Sequence, residues 1–454
     1  MKLAIALVLN AVLLAVLLPW LRRQWERAPA WARGLLAWGL AGRLLVGAWR
    51  GWHLADDALF ISEQAASVTR LLRAGQVWQA LFTDEVGWRQ QVITYYGMSN
   101  TLFMAKILGW LNLASLDSGW LNGIYLSLFS FVGCWTLASI CLRLFPRTPP
   151  AAAVVAFVAW PTVVFWAAGV AKEPLLLGSG AWLLALYLQL FYGPGVASGR
   201  GRAATVVGLL VLAYVHFFMR YFFAAPLLGA LAGLAVVHLL QRLGGARSRV
   251  AQVLVLAAVL AGGAWAATQV SVAFRLNKFT NQTMRIYAHS LEMSAAKAHI
   301  EYPDLRPTAE SFLRHAPQAA LNAFTRPWVG ESWQPLYVAA ALENLALLGL
   351  FATAAYAAWR KRWGHLPFGL VAALAIFCLV LAVLLGLSTP NLGSLNRYRS
   401  AVLPYLVFLL LQNDVAARAL RRLGLGSGQH APGEEPPAAP VPGSNAPATG
   451  AVPL

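Results

Sequence analysis

The chain has 454 residues, 59% of them hydrophobic and 11% charged, with a mean hydropathy of +0.61. Soluble globular chains carry about 25% charged residues, so this composition excludes a soluble multidomain enzyme and points to a polytopic membrane protein. The formal charge of +18, from 35 Lys and Arg against 17 Asp and Glu, does not by itself indicate a nucleic-acid partner, because the positive-inside bias of membrane proteins produces the same excess.

A crossing helix needs about 20 predominantly apolar residues. The first such run, 3–20, lies in MKLAIALVLNAVLLAVLLPWLRR, where the positive charge follows the apolar stretch and a small-residue cleavage site is lacking. It reads as an uncleaved anchor, which with the basic linker behind it forms a first unit, 1–33. The run 34–54 opens a membrane core, 34–269, and is followed at once by Asp56 and Asp57. A carboxylate at the membrane surface is placed to act as a base, since burial and a neighbouring carboxylate both raise its pKa. The alternative is that one of the two caps the helix starting at Ala58. In the rest of the first outer loop, 55–118, Leu59, Ala66, Val68, Leu71 and Leu72 fall at helical spacing among Glu63, Arg70 and Arg73. That pattern predicts amphipathic helices lying on the outer surface. The stretch 99–115 contains Lys106 and is expected to be a re-entrant or interfacial helix.

Further runs follow at 119–143, 151–169, 175–193, 203–219, 222–240 and 250–268. Within them, PTVVFWAAGVAKEP sets Lys172 and Glu173 in a short outer turn. Charges so close to hydrocarbon are costly and often functional, although a Lys-Glu pair also serves simply to neutralise itself. Arg220, in HFFMRYFF, occupies the tightest outer turn, and His216 one helical turn earlier reads as a packed helix residue. The segment 270–335 carries seven basic and five acidic side chains and is expected to be an outer domain, too short for a catalytic core of its own. At its end, FTRPWVGESWQPLYVAAALEN brings Arg326 and Glu331 together with Trp328, Trp333 and Tyr337, aromatics that suit an interfacial belt or, alternatively, stacking on sugar rings.

The C-terminal membrane unit, 336–412, contains runs at 336–358, 366–387 and 397–412. Arg397 and Arg399, in LSTPNLGSLNRYRSAVLP, open the last run on the outer side, against the usual charge bias. Two guanidinium groups offer bidentate donors to a phosphate, whether of a substrate or of a lipid headgroup. The segment 413–454, rich in Pro, Gly and Ala, is expected to be a disordered cytoplasmic tail.

The expected fold is therefore all-α, with eleven spans, a re-entrant or interfacial helix and amphipathic helices on the outer face. With the N-terminus outside, the six linkers rich in Arg and Lys, around Arg23, Arg147, Arg202, Arg247, Lys361 and Arg421, all fall on the cytoplasmic side. Twelve of the 17 acidic residues then face outward. Cys134, Cys141 and Cys378 all lie inside apolar runs, so no disulfide framework or zinc site is implied. Carboxylates at 56 and 57, the Lys172-Glu173 turn and several arginines share one face. Together they suit glycosyl transfer from a polyprenyl phosphate carrier.

DDALF after the second span, and the apolar span ending in PTVVFWAAGVAKEP, resemble the C-type integral-membrane glycosyltransferases, which include protein mannosyltransferases and lipid A aminoarabinose transferases. The resemblance covers residues 34–240 in order and character, and NRYRSAVLP beyond them; the outer segment 270–335 is larger than a minimal member has. It implies an inverting enzyme of the inner membrane with its active site facing the periplasm or exterior. The donor would be a polyprenyl phosphate-linked sugar, and the acceptor a lipid, glycan or protein. The resemblance maps the catalytic base onto Asp56 with Asp57 beside it, and donor-phosphate binding onto Lys172, Arg220, Arg397 and Arg399. Glu173, Arg326 and Glu331 are further candidates. Many members need no metal, so the resemblance fixes no cofactor, and a divalent metal between Asp56 and Asp57 stays open. Two other readings compete. One is an O-antigen or exopolysaccharide polymerase or ligase, acting on diphosphate-linked glycans through Arg275, Arg285, Arg306, Arg314 and His315. The other is a lipid-sugar flippase, for which Arg43 is the clear mid-span charge but no internal repeat is visible.

Overall fold

Residues 1–194, 199–362 and 364–426 are described in the computed structural model of the chain, and nearly all of its regular structure is helical. The first apolar runs form α1 (Lys2–Arg27) and α2 (Ala30–Trp52). Most of the leucines and valines of α1 are exposed, as a lipid-facing helix requires, and polar residues tie it to the bundle. Asn10 donates to the carbonyl of Ala114 at 2.9 Å and accepts from the Tyr125 hydroxyl at 2.7 Å, and Gln24 accepts from the Trp135 indole at 3.1 Å.

The segment after α2 begins with α3 (Asp56–Arg73), the amphipathic helix its spacing predicts, and continues with α4 (Val77–Phe82). A hairpin of β1 (Glu85–Trp88) and β2 (Gln91–Thr94) then pairs antiparallel from Glu85 opposite Thr94 to Trp88 opposite Gln91. These two short strands correct the all-α expectation in detail. Next, α5 (Asn100–Ser115) packs on α3, α1 and the following helix, α6 (Gly119–Leu144). At 16 residues, α5 is shorter than a full crossing needs.

The run 151–169 is not one helix. It breaks into α7 (Ala151–Val154), a π-helical turn (Val155–Ala159) and α8 (Pro161–Trp166), because Pro161 has no N–H to offer the preceding turn and holds Trp160 extended. Arg43 of α2 meets the carbonyls this break leaves, donating to Phe157 at 2.7 Å and Val158 at 2.9 Å. The mid-span charge that suggested transport is thus a buried structural clamp.

Four long helices follow, α9 (Lys172–Tyr192), α10 (Gly199–Met219), α11 (Tyr221–Arg242) and α12 (Arg249–Val270). The segment 270–335 forms α13 (Leu276–Glu292) and α14 (Ala309–Thr325), and the chain continues into α15 (Pro335–Trp359) and α16 (Phe368–Ser388). It is not a separate unit: Tyr287, Tyr302 and Phe312 share one core with Leu385 and Leu392, and α14 lies so close on α16 that a Cβ at Gly386 would meet the Ala319 carbonyl at 2.2 Å. The last run, 397–412, is divided between α17 (Leu392–Arg399) and α18 (Leu403–Leu410).

The expected tail begins with an ordered helix, α19 (Asp414–Arg422), which the Asn413 side chain caps by accepting from the Val415 and Ala416 amides. The expectation for 427–454 lies outside the described residues. Among those described, eight helices are long and apolar enough to cross a membrane: α1, α6, α9, α10, α11, α12, α15 and α16. The other three expected spans fall outside that set, because α2 carries Arg43 and Arg50 and the runs 151–169 and 397–412 are divided between shorter elements.

Close backbone approach fixes the end of the bundle that matters for function. Gly47 and Gly51 of α2 meet Gly123 and Gly119 of α6, two small-xxx-small pairs. A Cβ on Gly51 would lie 2.3 Å from the Gly119 carbonyl, and one on Gly123 would lie 2.2 Å from that of Gly47. Gly133 and Gly178 repeat the device between α6 and α9. The last turn of α2 and the first turns of α3, α6 and α9 are thereby locked at one level.

Candidate functional site

At that level, Glu173 occupies the first turn of α9, where the helix N-terminus favours a carboxylate. Its side chain is 1% exposed and is held by two arginines from elements far apart in sequence. Arg220, at the junction of α10 and α11, donates to Oε1 at 3.3 Å, and Arg397 of α17 forms an ion pair with Oε2 at 3.0 Å. Arg397 also donates to Asp57 at 3.4 Å. The structure therefore brings together Asp57, Glu173, Arg220 and Arg397, with Lys172 beside them. Asp56 stands one residue before Asp57 at the exposed start of α3, and has no ion pair among the described residues.

Lys172 donates to Asn100 Oδ1 at 2.8 Å and Thr101 Oγ1 at 3.1 Å. Both acceptors are neutral, so its charge has no ion-pair partner among the described residues. Lys172 and Arg220 line a cavity of about 350 Å³ with Asn100, Tyr398, Thr283 and Ser388, and its remaining wall includes Phe222, Phe223, Phe279, Ile286, Leu381 and Leu384. The cavity is thus cationic and hydrogen-bonding in one part and apolar and aromatic in the rest, the composition suited to an amphipathic anion. The Arg220 guanidinium lies over the Tyr398 ring at 4.0 Å and the Phe223 ring at 5.0 Å, contacts that hold it at the cavity wall.

Other predicted residues belong elsewhere. Arg399, expected beside Arg397 as a second phosphate ligand, is fully buried and donates to Asn344 Oδ1 at 2.7 Å and to the Arg326 carbonyl at 3.2 Å. The reason is helical: residues two apart project about 200° from each other, so the two arginines of α17 face opposite sides. Arg326 and Glu331 pair with one another and do not line the cavity. Arg275, Arg285, Arg306 and Arg314 are all exposed and line no part of it. His216 is a packed residue, buried and hydrogen-bonded to Ser179 Oγ at 2.8 Å. Among the described residues no three His, Cys, Asp or Glu side chains come together to hold a metal ion, and Asp57 already faces Arg397. That donor set does not fit a metal bridged by Asp56 and Asp57.

Three contributors escaped the sequence reading. Asn100 begins an apolar stretch, and Tyr398 lies between two arginines. Arg50 donates to the carbonyls of Phe165, Trp166 and Ala168, the last at 2.7 Å, and so fixes the strand of backbone that leads from α8 to Lys172. Gly169, at φ +84, completes that turn with Arg50 packed against it. The available signal for Arg50 was its place inside the first glycine pair, G-A-W-R-G.

Compared with known proteins, the chain matches no family model, no curated protein and no solved structure.

Proposed function

We propose that the protein is a membrane glycosyltransferase that takes a sugar from a polyprenyl phosphate carrier. The observation that carries the reading is Lys172, which brings a charge without an ionic partner into a cavity that it shares with Arg220 and an apolar, aromatic wall. A lipid phosphate matches both halves: its oxygens take Lys172 and Arg220, and its isoprenoid chain takes the phenylalanines and leucines. Asp57, tied to the same cluster through Arg397, is the carboxylate assigned to the acceptor.

In the reaction an acceptor hydroxyl oxygen attacks the anomeric carbon, the bond from that carbon to the phosphate oxygen breaks, and the hydroxyl proton passes to a carboxylate, with Asp57 favoured over Asp56 by its place in the cluster. The leaving polyprenyl phosphate gains negative charge, which Lys172 and Arg220 stabilise in a site partly shielded from water. Glu173 keeps Arg220 and Arg397 in place and limits their mutual repulsion. The same reading places the chain in an inner membrane with eleven crossings, the basic linkers in the cytoplasm and this cavity at the outer face.

The test is mass spectrometry of lipids that co-purify with the wild-type protein and with Asp57→Asn from native membranes. A polyprenyl monophosphate bearing one sugar, enriched on the variant, is expected. A polyprenyl diphosphate bearing an oligosaccharide would replace this reading with a polymerase or ligase, and the absence of any lipid-linked sugar would refute it.

A further inference from the structure

At the opposite end of the bundle lies a larger cavity, of about 900 Å³, that the proposed transfer does not use. Three separate segments build it. Residues 146–150 supply three prolines and Arg147, Arg362 and His365 come from a second segment, and the chain from Gln412 through α19 supplies Asp414, Arg418 and Arg421. The segments are fitted closely together. A Cβ on Gly364 would meet the Gln412 carbonyl at 2.0 Å, and one on Gly426 would meet Pro150 Cγ at 2.9 Å.

Four guanidinium groups thus line one concavity against a single carboxylate. Among the described residues none of the four makes an ion pair or a side-chain hydrogen bond, Asp414 included as a potential partner. A surplus of basic residues at one end of a membrane protein is ordinary. Gathering four of them from three chain segments around one volume, all unpaired, is not required by that bias and is opposed by their mutual repulsion. Gln412, which also lines the cavity, is buried and leaves its Oε1 without a hydrogen-bond partner.

We propose that this cavity binds a phosphate-bearing anion, held by Arg147, Arg362, Arg418 and Arg421. Guanidinium groups fit phosphate oxygens in forked pairs, and the volume admits a diphosphate or a lipid headgroup. The proposal stands independently of the transfer reaction, because no residue is shared between the two cavities.

The experiment uses the full chain in detergent carrying Lys172→Ala, so that the other anionic site is silent, and titrates inorganic pyrophosphate. Binding is expected, and Arg362→Gln and Arg418→Gln are each expected to weaken it about tenfold, the scale of one lost charge-assisted hydrogen bond. Arg202→Gln, which removes an equal charge from the same end outside the cavity, should change it by less than about twofold. Arg421→Gln, at an exposed rim position, carries the test if Arg362→Gln fails to fold. A lipid source gives a different pattern. Pyrophosphate then fails to bind, while nanodiscs of phosphatidylcholine with phosphatidylglycerol raise the Tm over phosphatidylcholine alone in the parent protein and not in the cavity variants. An Arg202→Gln loss as large as that of the cavity variants, or no response to either probe, overturns the proposal.

Discussion

Replacing Glu173 with Gln removes one negative charge and almost no volume, so its effect isolates the electrostatics of the cluster. The carboxylate is 1% exposed and contacts Arg397 at 3.0 Å and Arg220 at 3.3 Å. At an effective dielectric of about 20, each contact has a gross attraction of about 5 kcal/mol. Desolvation of the carboxylate offsets much of this, and breaking a buried pair from one side leaves a net cost of about 3–5 kcal/mol. Glu173→Gln should therefore lower the Tm measured by thermal shift in detergent. It should also create a vacancy for negative charge, so inorganic phosphate should stabilise the variant more than the wild type. An anion at 100 times its Kd contributes about 2.7 kcal/mol, enough to restore much of the loss. The arginine cavity at the other end responds equally in both proteins, so the difference between them is the diagnostic quantity. An unchanged Tm, or an equal phosphate response in wild type and variant, would refute the view that Glu173 is the anion holding these arginines.

Asp57→Asn should reduce sugar transfer far more than Asp56→Asn, because only Asp57 reaches Arg397; turnover on purified acceptor checks the order. Arg50→Met should lower both transfer and stability by releasing the Phe165, Trp166 and Ala168 carbonyls ahead of Lys172, and proteolysis within 165–172 should accelerate with it. Arg43→Leu leaves the Phe157 and Val158 carbonyls dry beside Pro161, at about 1–3 kcal/mol each, so its Tm should fall without any change in substrate specificity. Between α13 and α14, Glu301 hydrogen-bonds His299 at 2.7 Å and raises the imidazole pKa above its ordinary value. The contact's stabilisation is full below the unfolded value of about 6.5 and is lost as pH rises through the raised folded value, and Glu301→Gln should remove that part of the pH dependence of Tm.

Legibility in the sequence followed the physical range of each signal. Hydropathy reports burial in lipid or core over a window, so α1, α6, α9 to α12, α15 and α16 could be read from it directly. It does not report continuity, and Pro161 and the α17 to α18 junction interrupt runs whose average stays apolar. Sidedness likewise carried Asp57, Lys172, Glu173, Arg220 and Arg397 to one level. It could not say which of them touch, because that depends on the crossing of α2 and α6 at Gly47, Gly51, Gly119 and Gly123. Sidedness alone makes Arg397 and Arg399 a two-armed clamp, whereas the periodicity of α17 separates them. Arg326 and Glu331 were recognised as charged residues near the membrane, but a pair five apart in one segment satisfies itself before it reaches a distant site. The hairpin of β1 and β2 was hidden by the helical pattern of the loop around it, and Asn100 by the apolar stretch it begins.

The proposed transfer requires Lys172 and Arg220 to bind a lipid phosphate in the cavity walled by Phe222, Phe279 and Leu384. Native mass spectrometry of the protein with added polyprenyl phosphate measures this without knowledge of the sugar or the acceptor. One strongly retained polyprenyl phosphate is expected on the wild type, lost in Lys172→Ala and in Leu384→Trp, which fills the apolar part of the cavity. Retention that is equal in all three proteins, or a wild type that binds the uncharged polyprenol as tightly as its phosphate, would contradict it.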